Sequence, residues 1–190
     1  MSTADPEPLG PYTVPLHMLA QMVAECAAFQ NRVGLSYPDP DAIDKLVSGD
    51  GANKRIYYPA IESTDQVLDK LPAAIISESE DWTLPMVAGG DHNYFHGPRG
   101  SLELILMDND RHPGNIEASK RDFMNFVGLT LQSGDDDNPG LAELAALDDR
   151  LIVNEMTQLD PPEMCSRDVQ NQRQRLYWSA RFQIRHGLSQ

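Results

Sequence analysis

The stretch QRLYWSARFQIRHGL, from Gln174 to Leu188, has the most regular pattern in the chain. Its apolar residues recur at every second position: Leu176, Trp178, Ala180, Phe182 and Ile184. Successive side chains of a β-strand point to opposite faces of the sheet, so this alternation predicts a strand with one buried and one exposed face. Antiparallel sheets commonly have one solvated face. We therefore expect an antiparallel strand at this position.

Outward from this strand, the sequence predicts two main helices and several further strands. Apolar residues at helical spacing predict one helix over 13–33, ended by Gly34, and another over 116–131. One side of the second helix is expected to be buried, with Ile116, Phe123, Phe126 or Val127, and Leu131. The shorter segments are strands over 55–61, 72–77, 82–87, 101–107 and 151–156, helices over 41–47 and 141–147, and polar loops over 89–100 and 160–171.

These segments favour an α+β fold. The strands are grouped rather than alternating with helices, which predicts a mostly antiparallel sheet of about four to five strands with the two main helices packed on one face. Pro59 restricts the strand over 55–61 to an edge or an end of that sheet. We expect a flexible N-terminal segment over 1–12, followed by a single α+β domain over 13–190. Within it, 13–50 is a helical N-terminal region and 54–188 is the core of sheet and helix.

Length and composition exclude several classes of protein. The 190 residues include 41% hydrophobic residues, which is enough for a real core. No apolar run approaches the roughly 18–20 residues of a membrane span, and the N-terminus lacks the features of a secretory signal. We therefore expect a soluble intracellular protein without a membrane partner. Cys26 and Cys165 form neither a disulfide framework nor a metal motif, and Cys26 is expected to be a buried free thiol.

The distribution of charge says more than its sum. The formal net charge is −14 and the isoelectric point is near 4.5, which argues against general nucleic-acid binding. From residue 173 to 190 there are four arginines and no carboxylate, so the other 172 residues carry −18. A basic strand on an acidic body can recognise other copies of the same chain. The alternative is a basic strand face that is simply solvated.

One loop has residues that could serve other chemistry. Asp91, His92 and His96 could together hold a metal ion, as in a metal-dependent hydrolase, or could belong to an ordinary surface loop. Tyr94 and Phe95 in the same loop could anchor in a partner or fold back as a lid. The chain contains no phosphate-binding, dinucleotide-binding or nucleophile motif. We therefore expect no enzyme activity, no cofactor and no metal.

Four stretches together resemble a known family. They are RIYYPAI over 55–61, LPAAIIS over 71–77, GSLELIL over 100–106 and LYWSARFQIRHG over 176–187, with a central helix before the last. In order and character these elements, spanning about 55–187, resemble the tail terminator or tail completion proteins of long-tailed bacteriophages. The resemblance includes no catalytic or ligand-binding motif.

The resemblance implies a structural protein of the virion, present in the host cytoplasm during assembly. It implies a homo-oligomeric ring, usually a hexamer, that caps the tail tube and joins it to the head connector. For the contacts with a neighbour or the tube we expect Arg175, Arg181 and Arg185 on the odd-numbered strand face, and Tyr94, Phe95 and Arg99 in the preceding loop. A head-completion, neck or other minor tail subunit is a related alternative. The metal-dependent hydrolase using 91–96 and a small acidic binding module of a cell belong to different classes.

Overall fold

The computed structural model describes residues 13–48, 52–58, 67–78, 99–132, 135, 137–147, 151–169 and 173–188. The helical elements are α1 Thr13–Glu25, α2 Ala27–Val33, a π-helical segment Asp44–Ser48, α3 Ile116–Leu131 and α4 Leu141–Leu147. The strands are β1 Ile56–Tyr57, β2 Ala73–Glu78, β3 Arg99–Asn109, β4 Leu151–Val169 and β5 Arg173–Leu188. The fold is α+β, as the grouping of strands predicts.

The five strands form one mixed sheet in the order β1-β2-β3-β5-β4. Strand β1 is parallel to β2, while β2, β3, β5 and β4 pair antiparallel in that order. Among the described strands the short β1 lies at an edge of the sheet, which agrees with the prediction from Pro59. Strand β5 lies inside the sheet, with β3 on one side and β4 on the other. The last strand in the sequence is therefore an interior strand of the sheet.

The alternation in β5 gives the two faces that the sequence predicts, with one exception. Trp178, Phe182 and Ile184 are at most 5% exposed and belong to the main core, but Leu176 is 39% exposed. The pairing of β3 with β5 ends at Tyr177, so Leu176 lies beyond the last residue of β5 that is paired with β3. The prediction that Leu176 is buried is therefore wrong.

The main core lies between one sheet face and the helices. A row of aromatic rings crosses it, because centroid distances of 6.1–6.3 Å connect Trp178 to Phe123, Phe123 to Phe126, and Phe126 to Phe29. These rings come from β5, α3 and α2, so the row joins the strand to both helices. The indole of Trp178 also donates a hydrogen bond to Ser119 Oγ at 2.7 Å. Both main helices thus cover one face of the sheet, as expected.

The predicted helix over 13–33 is divided at Cys26. Cys26 has an extended ψ of 125° and separates α1 from α2. The fully buried Gln30 stabilises this break, since its Nε2 donates to Ala24 O at 2.9 Å and its Oε1 accepts from Asp39 N at 3.0 Å. Cys26 is a buried free thiol, as expected, and burial raises the pKa of the thiol. Gly34 ends α2 in the left-handed region, at φ 90°.

Strand β4 is the largest difference from the prediction. The sequence predicts a strand over 151–156 and a polar loop over 160–171, but β4 continues to Val169 and pairs with β5 up to Arg173. Register shifts accommodate Pro161 and Pro162, which fall between the paired residues Asp160 and Glu163. A polar edge strand with two prolines has no apolar alternation, so its pattern resembles that of a loop.

Several shorter predictions are confirmed and others are not. The bounds of α3 and α4 agree with the predicted 116–131 and 141–147. Ile116, expected to be buried, is the first residue of α3 and is 63% exposed. The predicted helix over 41–47 overlaps the π-helical segment. The predicted strand over 82–87 and most of the loop over 89–100 lie outside the described residues. Within the described ranges no helix is long and apolar enough to cross a membrane.

Gly128 and Gly34 should respond oppositely to alanine. Gly128 lies on the exposed side of α3, and an added Cβ there meets nothing within 4 Å. Gly128→Ala should raise the free energy of unfolding by about 0.5–1 kcal/mol, because glycine loses more backbone entropy in a helix. Gly34→Ala should lower it by about 1–2 kcal/mol, because its φ is +90°. Urea unfolding measures both, and a loss of stability in Gly128→Ala would contradict the helix geometry.

The buried His186 should make the protein less stable in mild acid. Its side chain is 1% exposed, and burial lowers the pKa of the imidazole in the folded state. As pH falls below the unfolded value of about 6.5, the unfolded chain binds the proton first, so stability falls. Urea unfolding at pH 7.5 and 5.5 should show this loss in the wild type and less of it in His186→Leu. An equal loss in the wild type and in His186→Leu would contradict this prediction.

Candidate interaction surface

The sheet face opposite the main core consists of two parts. At one end Tyr57, Val67, Ala73 and Met107 form a second small hydrophobic cluster. Toward β4 the same face carries polar and charged side chains at the odd-numbered positions of β5. We refer to Glu103, Glu155, Asp160, Arg181 and Arg185 as the charged sheet face. These side chains are 24–62% exposed, which makes this face accessible to a partner.

The arginines of the charged sheet face have carboxylate neighbours within the same chain. Arg181 Nε lies 3.2 Å from Glu103 of β3 and 3.8 Å from Asp160 of β4. Arg185 lies 3.3 Å from Glu155 of β4. The register explains these pairs, because Arg181 is opposite Asp160 and Arg185 is opposite Glu155. Positive and negative side chains therefore alternate across the strands, rather than forming one basic strip.

The sequence predicts the arginines but not their partners. The alternation in β5 shows that Arg181 and Arg185 share a face, since that depends on one strand alone. The position of Glu103 beside Arg181 on the same face depends on the register between β3 and β5, since the two residues are almost 80 positions apart in the sequence. The positions of Glu155 and Asp160 opposite the arginines depend in addition on the bulges of β4. No local pattern in the sequence indicates these contacts.

The other predicted contact residues are not all brought to this face. Arg175 is exposed on the same face of β5, but the register places it opposite Arg167 rather than a carboxylate. The backbone of Arg99 begins β3 opposite Gly187, and its side chain is not described. Tyr94 and Phe95 lie outside the described residues, as does the possible metal loop with Asp91, His92 and His96. Among the described residues, no group of three potential metal ligands is close enough to hold an ion.

A second charged cluster joins three elements on the helix side of the sheet. Arg32 of α2 donates from Nε to Asp108 at 2.5 Å and from its two terminal nitrogens to Asp122 of α3. The guanidinium also lies 5.2 Å above the ring of Phe126. Arg111 approaches the fully buried Asp108 at 3.2 Å from the turn after β3. All four charges are therefore compensated within the cluster.

This cluster is structural rather than a site for a ligand. Burial opposes the charge of Arg32, but its hydrogen bonds to Asp122 and the nearby Asp108 outweigh that effect and raise the pKa of the guanidinium. The hydrogen bonds from Arg32 likewise hold the pKa of Asp122 below its usual value. The donors of Arg32 are directed at carboxylates of its own chain, so the cluster ties α2 to β3 and α3. Asp108 and Asp122 are 76 and 90 positions from Arg32 in the sequence, so no local sequence pattern indicates this cluster.

Comparisons with known proteins do not assign a family. No protein-family model matches the sequence, and no curated protein matches it.

The ion pairs of the charged sheet face should contribute little to stability. Arg181→Gln removes contacts with Glu103 and Asp160 and should lower the free energy of unfolding by about 0.2–1 kcal/mol at low salt, as exposed pairs do. The loss should shrink in about 0.5 M salt, where the screening length is only a few ångströms. Arg175→Gln is the matched control and should cause no loss. Equal losses in the two variants would contradict the pairing of Arg181 within the chain.

Proposed function

We propose that this protein is a structural subunit of virion assembly, a tail terminator of a long-tailed bacteriophage. It closes into a ring, usually a hexamer, that caps the tail tube and joins it to the head connector. The proposal rests on the resemblance over about 55–187. The observation that supports a binding role is the charged sheet face, an exposed surface opposite the helices on which both signs of charge are arranged in fixed positions.

The alternating charges of this face suit contacts between identical subunits. A contact between two different patches of the same chain is head-to-tail, and it closes into a ring when the rotation permits. Fixed charges of both signs make such contacts specific, because a wrong docking places like charges together. Exposed side chains such as Arg185, 62% exposed, are free to exchange their partner Glu155 for a carboxylate of a neighbour. The arginines of this face can thus be paired within a single chain and can also pair with carboxylates of a neighbour in a ring.

A head-completion or neck subunit is the nearest alternative. It has the same need for a ring of α+β subunits with complementary charged surfaces, so the same observation supports it. The two differ in the partner that each ring contacts. A terminator binds the end of a tail tube, whereas a neck subunit binds the connector on the head side.

The proposal predicts a defined oligomer that forms alone or on the end of the tail tube. Native mass spectrometry and light scattering of the full chain, with and without tail tube protein, should show a closed ring, with a hexamer as the expected size. Electron microscopy of the mixture should show rings at tube ends. A chain that stays monomeric at high concentration and forms no ring with tube protein would falsify the terminator proposal.

A double charge-reversal variant tests the role of the charged sheet face in assembly without changing the fold. Arg181→Glu/Arg185→Glu should weaken ring formation while the circular dichroism spectrum remains that of the wild type. The compensating variant Arg181→Glu/Glu103→Arg restores the opposite charges within the chain and controls for the lost pair. If the reversed pair assembles as well as the wild type, the charged sheet face is not the interface.

A further inference from the structure

Helix α3 exposes apolar side chains on the side that faces away from the sheet. Its buried side chains, among them Phe123 and Val127, belong to the main core. Met124 and Leu129 are 41% and 50% exposed, although both lie in the interior of the helix. We call the exposed side the outer face of α3, which consists of Lys120, Arg121, Met124, Asn125, Gly128 and Leu129.

Gly128 lies between these two apolar side chains on the helix surface and leaves room for another backbone. An added Cβ there meets nothing within 4 Å, so the fold of this chain does not require a glycine at that position. A glycine inside a helix costs backbone entropy relative to alanine, but its surface has no side chain, and a second helix can approach it closely. The apolar residues and the glycine together favour a helix as the partner of this face.

The two ends of α3 have opposite charges. Lys120 and Arg121 are exposed in its first half, and neither forms an ion pair with another described residue. The last turn has no basic residue, and the exposed Asp135 and Asp137 follow the C-cap Gln132. The C-terminal end of a helix has a partial negative charge and is stabilised by cations. This end of α3 is therefore followed by negative charge where a cation is favoured.

We propose that the outer face of α3 binds the same face of a second copy of this chain, with the two helices antiparallel. A two-fold contact of this kind uses the same patch on both subunits. Position 121 lies seven residues before Gly128 and position 135 lies seven residues after it, so helices that cross at Gly128 bring Arg121 to the level of the partner's Asp135. Met124 and Leu129 of both copies then pack around the two glycines.

A second copy is the partner that matches both ends of α3. A uniformly acidic partner would attract Lys120 and Arg121 but repel the turn with Asp135 and Asp137, and a basic partner would do the reverse. An antiparallel copy offers the opposite charge at both ends. The 16 residues of α3 extend about 24 Å, so the contact is smaller than the roughly 800 Å² per partner of a standard interface. We therefore expect a weak, reversible dimer.

This contact goes beyond the proposed function and uses the other side of the molecule. The charged sheet face lies opposite the helices, whereas the outer face of α3 lies on the helix side of the sheet. A ring that forms through the charged sheet face leaves the outer face of α3 accessible. The two contacts can therefore be tested separately.

Enlarging Gly128 tests the close approach of the two helices by sedimentation velocity of the full chain at low salt. Gly128→Gln adds a neutral side chain at the crossing and should weaken self-association about tenfold or more, because the helices can no longer pack closely. Its urea midpoint, measured on the dilute monomer, should equal or exceed that of the wild type, since glutamine has a higher helix propensity than glycine. Ala146→Gln, at an exposed position of α4, is the matched control and should associate like the wild type. Equal association of Gly128→Gln and the wild type would overturn the proposal.

Reversing one charge at each end of α3 tests the antiparallel arrangement. Arg121→Glu and Asp137→Lys should each weaken self-association about three- to tenfold at low salt, because each replaces an attraction between the two ends by a repulsion. A mixture of the two variants should form a heterodimer within a few fold of the wild-type affinity, since opposite charges then meet again at both ends. These differences should disappear in about 0.5 M salt. If the mixture associates no better than the separate variants, the helices are not paired in this way.

Failure of this contact and failure of the proposed function give different results. If the wild type stays monomeric at about millimolar concentration but forms rings with tail tube protein, the contact through α3 is overturned and the terminator proposal stands. If the wild type forms a dimer that Gly128→Gln weakens, but forms no ring with tube protein, the contact through α3 stands and the terminator proposal fails.

Discussion

Hydrogen bonding of β5 to β3 on one side and to β4 on the other is the constraint on which the rest of the structure depends. Side chains alternate along a strand, so a slip of one residue in either pairing would exchange the two faces of β5. In the observed register Trp178 reaches Ser119 of α3 on one face, while Arg181 reaches Glu103 on the other. The hydrophobic core and the charged sheet face are therefore two results of the same pairing, and neither can move without the other.

Local patterns predict much of the fold, and contacts between distant segments explain most of the differences. The alternation in β5 and the helical spacing of 116–131 are properties of single segments, and both are confirmed. The break at Cys26 is different, since it depends on Gln30 reaching Ala24 and Asp39. Beyond residue 156, strand β4 depends on β5 for its pairing and has no apolar pattern of its own. When the conformation of a segment depends on contacts with a distant segment, its own sequence contains no local pattern that predicts that conformation.

The same distinction applies to the candidate interaction surface. The sequence predicts that Arg175, Arg181 and Arg185 share one face, which the exposure of all three confirms. It does not predict that the inner two meet carboxylates while Arg175 lies opposite another arginine, because both facts follow from the register with β4. The three exposed arginines thus divide into two that form ion pairs within the chain and one that the register places opposite another arginine. The register between β4 and β5 determines which of the arginines has a carboxylate opposite it.

The bulges and prolines of β4 limit how copies of this chain can join. An exposed edge strand presents free backbone groups to which another strand can add, and repeated addition produces fibres without a defined end. Between Val153 and Glu163 the register shifts three times, and Pro161 and Pro162 have no N–H to donate. A continuous ladder cannot form along that stretch of the edge. The bulges and prolines therefore disfavour the addition of another strand there, and with it the open-ended polymers that strand addition produces.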